Sequence, residues 1–256
     1  MAKSGVQSVH RAVDILEQLA SEPQDGLRLS ELSRRLNLTP QTVQSLLRTL
    51  ENRRLVAQTR RSGPYVLGYR VWELGNRWSS GRDPLGVATN EMKRLRDILH
   101  EQIVLAELYR DQVVSILEIR GDHVLSVSSL PYTPDRTHTM ATAKVLLAYA
   151  PQERRDATIS GMTFVPRGPK AVRSAQELKE QLPDIRNKGY AVCMDESHMG
   201  ITAVAVPIMD ETDNINAALG TFLPTARFDA KNRNRILQEL RRSAEQLKQS
   251  WVPLRR

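Results

Sequence analysis

The sequence predicts an α+β protein in two parts: an N-terminal winged helix-turn-helix, then a larger domain that mixes strands and helices. Three observations predict it. Two short amphipathic helices meet at a tight turn and are followed by a hairpin with a basic tip. Beyond about residue 84 the apolar pattern changes from helical spacing to strand-like runs with helices between some of them. Positive charge is concentrated at the front, with 13 Lys/Arg against 7 Asp/Glu in residues 1–82, out of 37 and 29 in the whole chain.

Val9, Ala12, Val13, Leu16 and Leu19 recur at helical spacing and define a first helix from about Val9 to Ala20. Pro23, Asp25 and Gly26 break the chain. Ser30 is placed to cap a second helix with Leu32 and Leu36 inside, its capping box incomplete because Ser33 stands where Glu or Gln is wanted. Thr39 and Pro40 are an N-cap and first-turn pair for a third helix, Pro40 to Asn52, with Val43, Leu46, Leu47 and Leu50 inward. The runs Leu55–Ala57 and Tyr65–Leu67 flank Arg60, Arg61 and Gly63 and form a wing-like hairpin. Residues 70–100 are helical in two pieces, broken where Asp83 and Pro84 start the second. This gives three regions: 1–69 as the winged helix-turn-helix, 70–83 as a linker helix, and 84–256 as the larger domain. In the last, strands are expected at Ile103–Tyr109, Val113–Ile119, Val124–Ser128, Tyr190–Cys193, Ile201–Ile208 and Ala217–Phe222. Helices are expected at Thr139–Ala150, Pro151–Ser160, Ala175–Lys188 and Asp229–Trp251.

Composition narrows the function classes. The 256 residues carry a net charge of +8, mostly in the small first domain, which points to a polyanion partner. No apolar run reaches the roughly 18 residues of a membrane span, and the N-terminus lacks a signal-type stretch. Cys193 is the only cysteine, so no intrachain disulfide forms. A cytoplasmic protein with no membrane partner is the expectation.

The third helix leaves Gln41, Thr42, Gln44, Ser45 and Arg48 on its outer face. Gln pairs with adenine in bidentate fashion, and Thr offers a hydroxyl or a methyl to a base edge. Arg48, and Arg60 and Arg61 of the wing, are long cations suited to phosphate or the minor groove. These seven residues are the candidate contacts to double-stranded operator DNA.

The order of motifs resembles the IclR family of bacterial regulators. The stretches that carry the likeness are VQSVHRAVDILEQLA, LRLSELSRRLNLTPQTVQSLLRTLENRRLV and PYVLGYRVWELG in the first third. In the second half they are HTMATAKVLLAYAP, IRNKGYAVCMDESHMGITAVAVPI and NINAALGTFLPTARF. The resemblance implies a linker helix, a C-terminal effector domain with a GAF/PAS-like sheet, and a homodimer or homotetramer. It implies a transcriptional regulator, repressor or activator, whose DNA binding is modulated by a small-molecule effector of carboxylic-acid type. It also implies an effector pocket at Ala141, Thr142, Cys193, Ala203, Gly220 and Phe222. Family members that bind small carboxylates carry an acid, a Cys and two Ser where this chain has Cys193, Ala203, Gly220 and Phe222. The thinner hydrogen-bonding inventory favours an aromatic or largely apolar acid, its carboxylate at the helix start Ala141–Ala143 and its body near Phe222. A basic residue common in the family's recognition helix is Ser45 here, and the helix-start glycine is Ala143.

The alternative is a DNA-binding module fused to an enzymatic domain. No catalytic residue, cofactor or metal is expected. His10, His100, His123, His138 and His198 have no ligand spacing with one another or with Cys193. Asp195-Glu196-Ser197-His198 is read as an exposed turn rather than a catalytic set.

Overall fold

The computed structural model describes residues 5–21, 26–60, 62–79, 84–124, 126–127 and 135–251. The chain divides into two compact units, Met1–Arg82 and Asp83–Arg256.

The first unit contains α1 (Gln7–Ala20), α2 (Leu29–Leu36), α3 (Pro40–Asn52), β1 (Val56–Gln58), β2 (Tyr65–Leu67) and α4 (Tyr69–Ser79). Its core gathers Ile15, Leu19, Leu32, Val43, Leu47 and Leu50 from three helices, with Leu27 and Val56 beneath the hairpin. The expected stripe of α1 is split. Ile15 and Leu19 are buried, whereas Val9 and Val13 of the same apolar arc are exposed, because the arc is wider than this core covers. The second helix starts one residue before Ser30, with Arg28 at its N-cap position. The Arg28 N–H donates to Glu31 Oε2 at 2.8 Å, so Glu31 ties down the helix start in place of a Ser30 cap. Asn37, left-handed at φ +50°, ends α2 and turns the chain into Thr39. The Thr42 N–H donates to Thr39 Oγ1 at 3.3 Å, the expected cap of α3.

β1 and β2 pair antiparallel with Ala57 opposite Val66. Leu27 adds a bridge to Tyr65, with N···O distances of 2.9 and 2.8 Å in the two directions. Gly26 makes that bridge possible. Its φ is +65°, and a Cβ there would meet the Tyr65 carbonyl at 2.4 Å.

The second unit holds α5 (Pro84–Leu99), β3 (Gln102–Tyr109), β4 (Gln112–Ile119), α6 (Ala141–Tyr149), α7 (Gln152–Ser160), α8 (Ala175–Lys188), β5 (Ala191–Met194), β6 (Ile201–Met209), β7 (Ile215–Pro224) and α9 (Ala230–Ser250). The strands form one antiparallel sheet in the order β4-β3-β7-β6-β5. Side-chain alternation separates two cores. Val104, Ala106, Cys193, Ala203, Ala205 and Phe222 face α6, α7 and α8. Ile103, Leu105, Val204, Val206 and Leu219 face α5 and α9. Every residue of α6 from Ala141 to Ala148 is buried, so this helix is enclosed on all sides. Side-chain caps fix the outer helices: Ser174 accepts the Glu177 N–H at 3.1 Å, and Asp229 accepts the Asn232 N–H at 2.8 Å.

The strand expected at Val124–Ser128 is not seen among the described residues. Residues 124, 126 and 127 are not in a strand, and Leu125 and Ser128 lie outside the described residues. Val124, the apolar residue that suggested a strand, is fully exposed and has no sheet to bury against.

Candidate DNA-reading helix and effector pocket

α3 presents Gln41, Gln44, Ser45 and Arg48 to solvent, while Val43, Leu47 and Leu50 root it in the core. Thr42 is half-buried and differs from the others. Its hydroxyl lies 2.9 Å from Thr39 Oγ1, so it belongs partly to the helix cap. Arg48 and Arg60 make no ion pair with a carboxylate among the described residues, which leaves both cations uncompensated. The hairpin tip is closed by the Gly63 N–H donating to the Arg60 carbonyl at 2.7 Å. A Cβ on Gly63 would meet that carbonyl at 2.9 Å, so glycine is what allows so tight a turn. Arg61 lies outside the described residues.

In the second unit the sheet register brings four of the expected pocket residues together. Cys193 stands opposite Ala203, and Ala203 opposite Phe222, in one row across β5, β6 and β7. Gly220, two residues from Phe222 on the same face, stands opposite Ala205. The start of α6 lies above this row. A Cβ on Gly220 would come within 2.9 Å of Thr142 Cγ2 and of the Val204 carbonyl. The space left by the missing side chain at Gly220 is thus occupied by the Thr142 methyl. Ala141, Thr142, Cys193, Ala203 and Phe222 are all buried, Phe222 the least so at 8 % exposed. Met140, at the N-cap position of α6, makes no side-chain cap hydrogen bond.

Beside the row lies a polar cluster that sequence patterning missed. Lys144, one turn into α6, is buried and donates to both carboxylate oxygens of Glu196 and to Gln181 Oε1, each at 2.7 Å. Glu196 belongs to the segment expected to be an exposed turn. Asp195 does form a turn, at φ +59° with its carboxylate accepting the Gly200 N–H, but the next side chain points inward to neutralise Lys144. A Lys in an enclosed helix was the available signal, because a buried ammonium requires a counter-charge. Burial pushes the Cys193 thiol well up, the Glu196 carboxylate adds to that, and nearby Lys144 only partly offsets them. Burial of this kind favours the protonated thiol over the thiolate.

His138, just before α6, is wholly buried, and neither ring nitrogen makes a hydrogen bond of good geometry among the described residues. Its ring packs against Phe164 at 5.1 Å between centroids. Burial holds its pKa below the usual imidazole range, the nearby Val165 backbone offsets part of that, and the charge of Lys144 lowers it slightly again. Among the described residues no three His, Cys, Asp or Glu side chains are placed to hold a metal ion.

A helix-turn-helix with a cationic wing, joined to a sheet domain of this topology, defines a DNA-binding regulator of transcription. Comparison with known proteins supplies the family. The IclR helix-turn-helix domain matches residues 8–60, and the domain described as bacterial transcriptional regulator IclR C-terminal matches residues 80–249. The chain belongs to the IclR family of bacterial transcriptional regulators. The regulator KdgR of Dickeya chrysanthemi is 30 % identical over 242 residues, covering 94 % of this chain and 79 % of the relative. XynR of Escherichia coli is 28 % identical over 251 residues, 98 % of this chain and 96 % of the relative. Among solved structures, an IclR regulator from Alicyclobacillus acidocaldarius superposes with a TM-score of 0.79 at 26 % identity, over 97 % of this chain and 100 % of that one. An IclR homolog from Microbacterium hydrocarbonoxydans, solved with 4-hydroxybenzoate, has the same fold, with a TM-score of 0.77 at 24 % identity, covering 95 % and 98 %.

Proposed function

We propose that the C-terminal unit binds an aromatic or largely apolar carboxylic acid and that this ligand modulates operator binding by α3 and the wing. The observation that carries the reading is the row Cys193–Ala203–Phe222 beneath the start of α6. It offers an apolar floor and an aromatic wall, with backbone N–H groups and a helix dipole at the α6 end. A small hydrophilic acid would leave polar groups unmatched there, each costing roughly 1–3 kcal/mol. The homolog solved with 4-hydroxybenzoate is a relative whose ligand has this chemistry. Gly220 serves such a ligand only when Thr142 turns its methyl aside, which couples ligand entry to the first turn of α6.

On the DNA side, Gln41, Gln44 and Ser45 read base edges, Arg48 and Arg60 hold the backbone, and Arg61 adds charge at the wing. Thr42 contributes mainly by fixing the helix start. Calorimetry with glyoxylate, benzoate and 4-hydroxybenzoate tests the pocket. Affinity should rise from glyoxylate to the benzoates, and Phe222→Ser should weaken the benzoates by about 1–2 kcal/mol. Equal affinities, or an unaltered Phe222→Ser, would sink the pocket while leaving the DNA-binding assignment intact.

A further inference from the structure

At the other end of α6 from Ala141, a cleft of about 520 Å³ opens between the end of that helix, α7 and the β6–β7 hairpin. A neighbouring cavity of about 250 Å³ shares its Arg155 and Arg186 walls. The lining is unusual in its charge. Arg154 and Arg155 of α7 and Arg186 of α8 all border the main cleft, against a single carboxylate, Asp213. None of the three guanidinium groups forms an ion pair with an acid among the described residues. Arg154 donates from Nε to the Arg110 carbonyl, at 3.1 Å, and from Nη2 to that of Leu108, which leaves Nη1 for a ligand. Arg186 lies over the Tyr149 ring, 5.5 Å from its centroid. The Arg155 side chain is half-buried and makes no hydrogen bond or ion pair among the described residues, although its charge helps to hold the neighbouring Asp156 carboxyl low. Nearby acids are already engaged: Asp156 holds Lys179 at 2.8 Å, and Asp184 holds Lys188 at 2.6 Å.

Three like charges bordering one concavity repel one another, and partial burial strengthens the repulsion. A stability role would be better met by one arginine and one acid. From these arginines and this cleft we infer a second ligand site, separate from the effector pocket, that takes a small dianion: a phosphate group or a pair of carboxylates. Guanidinium forks match both kinds of oxygen pair. Arg154 and Arg186 are already held in place, one by carbonyls and one by an aromatic face, so little side-chain freedom is lost on binding. Leu108, Leu146 and Ile215 supply an apolar floor for the rest of the ligand. The volume suits a metabolite rather than a macromolecular surface.

The inference does not depend on the effector reading, and its test separates the two. The full chain is titrated calorimetrically with inorganic phosphate, and separately with succinate, at constant ionic strength made up with chloride. At least one dianion should saturate a site. Arg155→Gln with Arg186→Gln should weaken that site roughly tenfold or more. Arg186→Gln alone, at an exposed side chain, should give part of the loss without altering thermal unfolding. Phe222→Ser should leave the anion site as it is. Saturation by phosphate alone identifies a phosphoryl ligand, and by succinate alone a dicarboxylate. The site is refuted if neither dianion binds above chloride, or if the double variant binds as the parent does. It is refuted equally if Phe222→Ser abolishes binding, or if the cleft variants change only the size of the oligomer.

Discussion

Two buried groups near α6 make sharp predictions at the scale of single residues. Lys144 is buried with Glu196 as its counter-charge. Glu196→Gln keeps the shape and removes the charge, leaving an ammonium without compensation. Urea unfolding should show a loss of about 3–5 kcal/mol, while Lys144→Met combined with Glu196→Leu should come close to the parent. A mild single variant would mean that water or another acid reaches Lys144. His138 makes the second prediction. Its pKa in the folded protein lies below the value of about 6.5 expected when unfolded. The unfolded chain therefore binds the proton first as pH falls. The stability contributed by neutral His138 is complete above pH 6.5 and is lost progressively below it, towards the folded pKa. His138→Gln abolishes this dependence. The stability of the variant relative to the parent should thus improve on going from pH 7 to pH 5, by up to about 1.4 kcal/mol per pH unit below 6.5. A flat difference across that range would show that His138 is not held neutral by the fold.

Elements were legible from the sequence where periodicity and caps agree. α3 began at Pro40 with Thr39 as its cap because both signals are local, and the strands from β3 to β7 lay where apolar runs are bounded by turns. What was not legible depends on partners distant in sequence. The Leu27–Tyr65 bridge, the inward turn of Glu196 and the filling of the Gly220 space by Thr142 each join segments that no local pattern relates. The exposed half of the α1 arc was missed for the same reason, since spacing cannot say how wide a face the core will cover. For α3 and the wing the roles separate by chemistry. Gln44→Ala should weaken operator binding while leaving non-specific affinity unaltered, because an uncharged base-reading group releases no counterion. Arg60→Ala should weaken both and reduce the slope of log K against log salt by about 1. Mobility shifts across a salt series read both effects. An unchanged slope for Arg60→Ala would remove the wing from the DNA backbone.

For the whole molecule the deciding observation is apolar surface left uncovered in the first unit. Val6 and Val9 beside and on α1 are 67 % and 60 % exposed, and Tyr69 and Trp72 on α4 are 60 % and 66 % exposed. Leu74 is also exposed, and Tyr69 and Trp72 pack against each other at 6.5 Å between centroids. A regulator with one recognition helix makes only a modest interface with DNA, and two-fold pairing doubles it. Large aromatic and aliphatic side chains exposed on two helices of the DNA-binding unit would be a solubility liability in a monomer and are the natural seam of such a pair. We expect a homodimer, or a homotetramer built from dimers, reading an operator with two related half-sites about one or two helical turns apart. Trp72→Glu combined with Leu74→Lys places charge in that seam and should lower both the assembled mass and operator affinity. Half-site affinity in the same variant should be kept, since neither side chain is on the outer face of α3. Light scattering at micromolar concentration is the direct check. A parent protein that runs only as the 29.0 kDa monomer with and without operator would overturn the pairing, and the exposed residues would then need another partner.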